Sequence, residues 1–246
     1  MRAFIQCDKI YNLPYNPNVF NAYDGLRDMG FECIFFQTHE DLLKLNHEKD
    51  EIIVGGIWMI RRRLEDFGIH CPEINYPESL KKYLGRNIWT STINRVRDNP
   101  NSWPIFVKSI EGKKLTGKVI SSIHDLVGCG YCDEDYPVLC SNPLNIVAEW
   151  RVFVRYGQVM DVRPYKGDWS KHYDPEIIKS AIQDYTDAPN AYGIDFGVTE
   201  EGKTVLIEVN DGYSLGCYGM FALKYAKFLI TRWAELTDIL DEYWYI

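Results

Sequence analysis

The chain has 246 residues, of which 46% are hydrophobic and 14% aromatic, enough to form a sizeable buried core. Its formal net charge is -8 at pH 7, so no overall positive field favours nucleic acid or an anionic membrane surface as a partner. No stretch approaches the roughly 20 apolar residues of a membrane span, and the N-terminus lacks a secretory pattern, so we expect a cytoplasmic protein.

Residues 1–75 alternate between strand-like and helical segments. The runs "RAFIQC", "FECIFFQ" and "EIIVGG" are typical of strands, whereas "NPNVFNAYDGLRDMG", "HEDLLKLN" and "IWMIRRRLEDFG" have helical spacing. Repeated strand and helix units predict a small α/β domain with a mostly parallel sheet. The following stretch, "ESLKKYLGRNIWTSTINRVRDN" at 78–99, is interpreted as a helical connector into a second domain that covers residues 76–246.

The second domain is rich in strands. Strand-like runs are "PIFVKSI", "GKVIS", "YPVLC", "NIVAEWRVFVRYG", "QVMDVRPY" and the two halves of "YGIDFGVTEEGKTVLIEVN". Two segments have helical spacing, "DPEIIKSAIQDYTDA" and "YGMFALKYAKFLITRWAELTDIL". The pattern predicts an α+β domain built on antiparallel strands.

Seven cysteines are scattered along the chain, as expected of reduced and mostly buried thiols. The pair Cys129 and Cys132 in "CGYC" suggests a structural zinc site as an alternative. Such a site usually needs a second pair of Cys or His ligands at similar spacing, and none follows, so we do not expect zinc.

Three oxygen-bearing side chains stand close together in the hairpin "YGIDFGVTEEGKTVLIEVN". Glu208 and Asn210 are two residues apart and share a strand face, and the turn "TEEGK" can bring Asp195 beside them on the neighbouring strand. Crowded, partly buried carboxylates repel one another unless a cation is present. Because carboxylate and amide oxygens suit Mg²⁺, the pattern predicts a metal site for a nucleotide.

The alternative is a surface hairpin whose polar residues simply alternate outward. The intervening residues are large and apolar, which indicates that both faces of this sheet are covered; they are Ile194, Phe196, Ile207 and Val209. We therefore favour the metal site.

A phosphate-binding element is predicted at "WPIFVKSIEGKKLTGKVI". Lys108 ends an apolar strand and is followed by a loop with two glycines and three further lysines. Ammonium groups and glycine-loop amides provide the charge and close backbone approach that a polyphosphate needs. A solvated basic hairpin is the alternative. "GKKLTGKV" also approaches a P-loop, but Val119 stands where Ser or Thr is required.

Two arginines lie on adjacent predicted strands in "AEWRVFVRYGQVMDVRPY". Arg151 shares a strand face with Glu149, and Arg163 lies beyond the Tyr-Gly turn. Guanidinium groups form paired hydrogen bonds to phosphate or carboxylate oxygens, so both arginines could contact a transferring phosphoryl group. The alternative is a structural cross-strand ion pair such as Arg151 with Asp161.

Together, these three elements resemble the ATP-grasp superfamily over roughly residues 72–216, and the alternating N-terminal segment resembles its pre-ATP-grasp domain. The size of the chain, "FVKS" with "KKLTGKV", and the paired arginines are most similar to the small Arg-two-Lys clade of uncharacterised and phage-associated members. The resemblance implies two α+β lobes, at about 103–141 and 142–246, that hold ATP between antiparallel sheets.

The resemblance also implies roles for the nucleotide-binding residues. Lys108 would contact the α- and β-phosphates, and the loop with Lys114, Thr116 and Gly117 would close over the triphosphate. The backbone of Leu139 and Cys140 would recognise the adenine.

The remaining roles concern the reacting groups. Glu149 would face the ribose or the acceptor, and Arg151 and Arg163 would bind the γ-phosphate or an acyl phosphate. Asp195, Glu208 and Asn210 would hold one or two Mg²⁺ ions.

The implied activity is ATP-dependent ligation of a carboxylate to an amine through an acyl phosphate, with a small-molecule, amino-acid or peptide acceptor. One alternative is a phosphotransferase, because "DFG" occurs at 195–197, although the H-R-D-x-x-x-x-N catalytic loop of protein kinases is missing. The other is an ATP-binding interaction or immunity-type module without turnover.

Overall fold

A computed structural model of the chain describes residues 1–71, 74–110, 115, 117–129 and 134–245. The chain forms two compact units: Met1–Tyr83 together with Val147–Ile246, and Leu84–Ile146. The first unit is therefore discontinuous in sequence, with the second inserted between its two parts. The domains predicted above, residues 1–75 and 76–246, stay a prediction.

A three-stranded parallel sheet with the strand order β2-β1-β3 opens the first unit. Its strands are β1 (Arg2–Gln6), β2 (Glu32–Phe36) and β3 (Ile52–Val54). The helices of this segment are α1 (Pro17–Asp28), α2 (His39–Lys44) and α3 (Ile57–Asp66). The centre of β1 is fully buried at Ala3, Phe4 and Ile5, as expected of a parallel strand covered on both faces. The predicted α/β segment is confirmed.

The second unit contains a four-stranded antiparallel sheet with the order β4-β7-β5-β6. The strands are β4 (Ile88–Thr92), β5 (Ile105–Ser109), β6 (Lys118–Ile120) and β7 (Pro137–Ser141). A short helix, α4 (Ile93–Asp98), starts where the side chain of Thr92 accepts a hydrogen bond from the amide of Arg95.

The prediction of a helical connector at 78–99 was wrong. This stretch contains a 3₁₀ helix (Glu78–Tyr83), strand β4 and helix α4. Gly85 has a φ of +62°, which ends the helical path. The β-branched run after it pairs with β7, so long-range strand pairing outweighs the local helical spacing.

The C-terminal part of the first unit contains a second four-stranded sheet, with the order β11-β10-β8-β9. Its strands are β8 (Ile146–Arg155), β9 (Gln158–Gly167), β10 (Ala191–Thr199) and β11 (Thr204–Asp211). Two helices pack on it, α5 (Pro175–Asp184) and α6 (Ala222–Thr237). All nine residues of β10 are buried, which requires cover on both faces of the sheet.

Helices α1 and α6 of the first unit approach each other very closely. A Cβ added at Gly25 would lie 2.1 Å from the carbonyl oxygen of Ala222. Asn21 Nδ2 donates to the carbonyl of Met220 at 3.0 Å, which fixes the start of α6 against α1. Buried residues of the parallel sheet, α1 and α6 form one continuous core, so the two parts of the first unit fold around the same apolar cluster.

Among the residues that the structure describes, no helix has the length and apolar character that crossing a lipid bilayer requires.

A buried histidine lies within the core of the first unit. His47 is 2% exposed, and its Nε2 lies 2.8 Å from the carbonyl oxygen of Glu51, so Nε2 carries the proton and donates. Nδ1 accepts from Nε of Arg63 at 3.0 Å. Burial, together with the nearby Arg63 charge, lowers the pKa of His47 to about 4. The imidazole is therefore neutral in the folded protein.

We expect this histidine to make stability depend on pH. The unfolded state takes up a proton near pH 6.5, whereas the folded state does so only near pH 4, so stability is lost as pH falls through this window. Between about pH 7.5 and pH 5 the loss due to His47 is about 2 kcal/mol. Urea unfolding of the wild type and of His47→Gln at both pH values measures it, because the substitution removes the titrating group.

His70→Gln serves as the control, because His70 is exposed in the same unit. An equal pH dependence in the wild type and in His47→Gln would contradict the assignment.

Candidate active site on the C-terminal sheet

The predicted hairpin is formed by β10 and β11, and its register determines where the polar side chains lie. Asp195 pairs directly with Glu208, and Gly193 pairs with Asn210. Side chains at alternate positions share a face, so Asp195, Glu208 and Asn210 project from the same side of the sheet. Asp195 is 1% exposed, whereas Glu208 and Asn210 are half-buried.

The three side chains converge on one point. Nδ2 of Asn210 donates to Oδ2 of Asp195 at 3.3 Å and to Oε1 of Glu208 at 3.1 Å. Half a turn of the amide would place its oxygen at the same point, giving three oxygen ligands from three residues. This donor set fits a hard divalent cation such as Mg²⁺, which takes carboxylate and amide oxygens and completes its shell with water or phosphate.

Within the described residues, no group of three or more His, Cys, Asp or Glu side chains is arranged to hold a metal ion. The proposed cation site accordingly depends on two carboxylates and one amide. Cys129 is buried and reduced, and Cys132, its partner in the zinc alternative, lies outside the described residues.

Arg151 forms a bidentate ion pair with Asp195. Its Nε donates to Oδ1 at 2.7 Å and its Nη2 to Oδ2 at 2.6 Å. Arg151 is 6% exposed, so both charges are withdrawn from water and each depends on the other for compensation. The alternative pairing of Arg151 with Asp161 is wrong: Asp161 instead accepts from Nη2 of Arg163 at 2.7 Å.

Despite this pairing, the carboxylates give the site an excess of negative charge. Burial raises the pKa of Asp195 above its ordinary value, against the effect of Arg151, and the neighbouring Glu208 and Glu149 carboxylates raise it further. Burial also raises the pKa of Tyr165 strongly, so its hydroxyl remains protonated and can donate to Asp195 Oδ2, 3.5 Å away. A bound cation would relieve this repulsion among the carboxylates.

The two predicted arginines occupy opposite positions on β8 and β9. Arg151 and Arg163 are direct cross-strand partners in the register. Nε of Arg163 is buried and has no hydrogen-bond partner in the part of the chain that the structure describes. Glu149, two residues before Arg151, receives a hydrogen bond from Lys166 at 2.6 Å.

Two tyrosines that the sequence analysis did not single out border the ion pair. The rings of Tyr165 on β9 and Tyr218 in the loop after β11 are stacked, with centroids 4.9 Å apart and planes 14° from parallel. Cζ of Arg151 lies 5.7 Å from the Tyr165 centroid and 5.0 Å from that of Tyr218. Tyr165 could have been found from the sequence, because it lies two residues beyond Arg163 and so shares its strand face.

The loop that carries Tyr218 is fixed by the N-terminal part of the same unit. Ser214 Oγ donates to the carbonyl of Gly55 at 2.7 Å, and the amide of Cys217 donates to Oδ1 of Asn18 at 3.0 Å. A cavity of about 580 Å³ lies between this loop and the start of α1. It is lined by apolar and amide side chains without any charged group: Pro14, Asn16, Pro17, Phe20, Asn21, Cys217 and Gly219.

Most of the residues predicted to bind the nucleotide belong to the second unit, whereas Glu149 lies on β8 in the first. Lys108 on β5 pairs directly with Leu139 on β7, so these two positions are neighbours in the sheet. Cys140 is 1% exposed, and burial raises the pKa of its thiol to about 11. A Cβ at Gly117 would meet the ring of Phe106 at 2.5 Å. Lys114 and Thr116 lie outside the described residues.

A family model described as an ATP-grasp domain of R2K clade family 2 matches residues 83–228. Among solved structures, D-alanine–D-alanine ligase from Bacillus anthracis complexed with ATP has a TM-score of 0.59 at 14% identity, covering 97% of this chain and 99% of that chain. Macrocyclase MdnC from Microcystis aeruginosa, bound with precursor peptide MdnA, has a TM-score of 0.52 at 14% identity, covering 93% and 99%. ATP-grasp ligase PsnB, complexed with a minimal precursor, has a TM-score of 0.51 at 13% identity, covering 94% of this chain and 100% of that chain. No curated protein matches the sequence.

We expect the loss of either partner of the Arg151–Asp195 pair to be strongly destabilising, because the other charge would stay buried without compensation. Asp195→Asn leaves a buried guanidinium without its charged partner, which should lower the free energy of unfolding by about 3 kcal/mol. Asp161→Asn is the matched control, because its partner Arg163 has a side chain 35% exposed and the loss should be about 1 kcal/mol or less. Urea unfolding of both variants tests this, and equal losses would contradict it.

Proposed function

The chain belongs to the R2K clade of the ATP-grasp family, and from this membership we propose that it is an ADP-forming ligase that joins a carboxylate to an amine with Mg²⁺ as cofactor. The ATP-grasp fold expected from the sequence is confirmed by the family match and by the similarity to solved ATP-grasp ligases. The individual residue roles and the substrates are part of the proposal.

The observation that carries this proposal is the convergence of Asp195, Glu208 and Asn210 beside Arg151 on one face of the sheet. Oxygen ligands adjacent to a fixed guanidinium are what a reaction at a terminal phosphate requires. A cation held by these oxygens would neutralise phosphate charge, and the arginine would neutralise the remainder. No side-chain nucleophile is needed.

The proposed reaction has two steps. A substrate carboxylate oxygen attacks the γ-phosphorus, the bond to the ADP oxygen breaks, and an acyl phosphate forms. An amine nitrogen then attacks the acyl carbon and displaces phosphate, giving an amide as the amine loses a proton. Arg151 and Arg163 would hold the charged oxygens in both steps, since positioning and charge neutralisation dominate phosphoryl transfer. Mg²⁺ held by Asp195, Glu208 and Asn210 would neutralise the triphosphate.

We assign most of the nucleotide binding to residues of the second unit. Lys108 would contact the α- and β-phosphates and contribute to catalysis. The backbone at Leu139 and Cys140 is poorly suited to the adenine contact expected of it, because β7 lies between β4 and β5 and its backbone groups pair with both strands. Glu149 would contact the ribose or the acceptor. The loop of Lys114, Thr116 and Gly117 would cover the triphosphate and exclude water from the acyl phosphate.

The acceptor is proposed to be a small molecule, an amino acid or a peptide. The similar structures include a D-alanine–D-alanine ligase, a macrocyclase bound with a precursor peptide and a ligase complexed with a minimal precursor. The uncharged cavity beside Tyr218 is a suitable place for an apolar part of such an acceptor.

Incubating the protein with ATP, Mg²⁺ and pooled amino acids and peptides should release ADP and give a product with the mass of two components minus water. Glu208→Ala and Lys108→Ala should each reduce ADP release about a hundredfold or more, because each removes charge stabilisation at the phosphates. Glu176→Ala on α5, where the side chain is 73% exposed, is the control and should leave the rate unchanged.

The two alternatives give different results in the same assay. A product heavier by one phosphate group would indicate a phosphotransferase. ATP binding without ADP release in any mixture would indicate a binding module. An undiminished rate in Glu208→Ala would contradict the proposed site.

A further inference from the structure

Asp195 is surrounded by hydrogen-bond donors at the oxygen that a cation would use. Oδ2 lies at the point of convergence with Glu208 and Asn210, and it accepts from Nη2 of Arg151 at 2.6 Å and from Nδ2 of Asn210 at 3.3 Å. The hydroxyl of Tyr165 is a third donor at 3.5 Å. A carboxylate oxygen has two lone pairs, so a cation can bind Oδ2 only after donors have left it.

Arg151 occupies its position through contacts on two sides. Asp195 binds the edge of the guanidinium, while the stacked rings of Tyr165 and Tyr218 lie next to it within the range of cation–π attraction. Tyr218 has a φ of +46°, a left-handed conformation that is unfavourable for a bulky residue. Glycine would adopt this conformation without strain, as Gly219 does at the next position with a φ of +79°, so the ring at Tyr218 indicates a role for this side chain.

We propose that Arg151 is an internal competitor for the cation at Asp195, so that divalent cation and triphosphate bind cooperatively through release of this one ion pair. The inference rests on the proposed function and adds to it a coupling between the two ligands. With neither ligand, Arg151 neutralises Asp195, and the Asn210 amide bridges Asp195 and Glu208. When both ligands are present, the cation takes Asp195 and the guanidinium is free to bind phosphate oxygens.

The coupling has a simple thermodynamic consequence. A single ligand must break the Arg151–Asp195 pair and provides a new partner for only one of the two side chains. The cation and the triphosphate together provide a new partner for each of them. Each ligand should therefore bind weakly by itself and raise the affinity for the other by the same factor. Tyr165 and Tyr218 act as positioning residues, because they stabilise the paired position of the guanidinium.

The first test measures Mn²⁺ binding to the nucleotide-free protein, with free Mn²⁺ followed by electron paramagnetic resonance. Arg151→Met should bind Mn²⁺ about tenfold more tightly than the wild type, within the usual range for coupled sites. Arg163→Met is the matched control. It removes one positive charge from the opposite position of the register without touching Asp195, and its effect should be clearly smaller. Unchanged or weaker Mn²⁺ binding in Arg151→Met would overturn the proposal.

A second variant covers the case in which Arg151→Met gives no cooperative unfolding transition. Arg151→Lys keeps the charge but cannot form the two-pronged bond, so it should still bind Mn²⁺ more tightly than the wild type. Affinity equal to the wild type in this folded variant would also overturn the proposal.

The reciprocal test measures binding of ATP in the presence of EDTA. Asp195→Asn releases Arg151 and should bind metal-free ATP about tenfold more tightly than the wild type. Glu208→Gln removes the same charge from the site but leaves the Arg151–Asp195 pair intact, so any gain should be smaller. If both variants gained the same affinity for ATP, the loss of one negative charge would explain the gain. That result would overturn the coupling.

The role of the aromatic pair is tested by rescue. Tyr218→Leu removes the ring beside Arg151 and should shift Mn²⁺ affinity in the same direction as Arg151→Met, whereas Tyr218→Phe retains the ring and should match the wild type. A merely structural role would lower thermal stability without changing Mn²⁺ affinity, and that result would overturn the positioning role.

These measurements separate the inference from the proposed function, because none of them needs turnover. Tighter Mn²⁺ binding in Arg151→Met, without any ligation product from the wild type, would support the coupling and contradict the ligase. ADP and an amide product from the wild type, with unchanged Mn²⁺ affinity in the variant, would support the ligase and overturn the coupling.

Discussion

The bidentate ion pair between Arg151 and Asp195 is the interaction on which the arrangement of the site depends. Both charges are almost completely withdrawn from water, and such charges are tolerated only when they are paired with good geometry. The pair links β8, which carries Arg151, to β10, which carries Asp195. Gly193 lies beside the pair, where a Cβ would clash with Leu215 Cδ2 at 2.5 Å but would be in ordinary contact with Nε of Arg151 at 3.5 Å. The neighbouring carboxylates of Glu208 and Glu149 then leave the site with an excess of negative charge before any cation binds.

Much of this site could be predicted from the sequence, because its information is local. The alternation in β11 puts Glu208 and Asn210 on one face, but a β-bulge between Asp195 and Phe196 shifts the register by one residue and so brings Asp195 opposite Glu208. Likewise, the Tyr-Gly turn joins β8 to β9 with both turn residues at positive φ, and a bulge between Phe153 and Val154 then brings Arg151 opposite Arg163. A single sequence displays two-residue spacing and short turns directly, whereas it does not display these bulges.

The unpredicted parts depend on contacts between distant segments. The sequence suggests Asp161 as the partner of Arg151, because Asp161 lies on the next strand along the chain. In the sheet, however, β8 also lies next to β10, and the order of segments in the sequence does not reveal this second neighbour. The same reason accounts for 78–99, where pairing of β4 with β7 outweighed helical spacing. Tyr218 opens a segment with helical spacing in the sequence, but it lies in the loop before α6, and that loop is held by hydrogen bonds to the N-terminal part of the unit.

The close approach of α1 to α6 at Gly25 has a consequence for biosynthesis. The apolar cluster around the parallel sheet includes buried side chains of α6, which begins only at Ala222, far along the chain from the sheet. Synthesis proceeds at roughly 5–20 residues per second, so the N-terminal sheet emerges from the ribosome seconds before the helix that completes its cover. During that interval its apolar surface is open to solvent and to chaperones. The inserted segment Leu84–Ile146, with an apolar cluster of its own, has all its strands available much earlier.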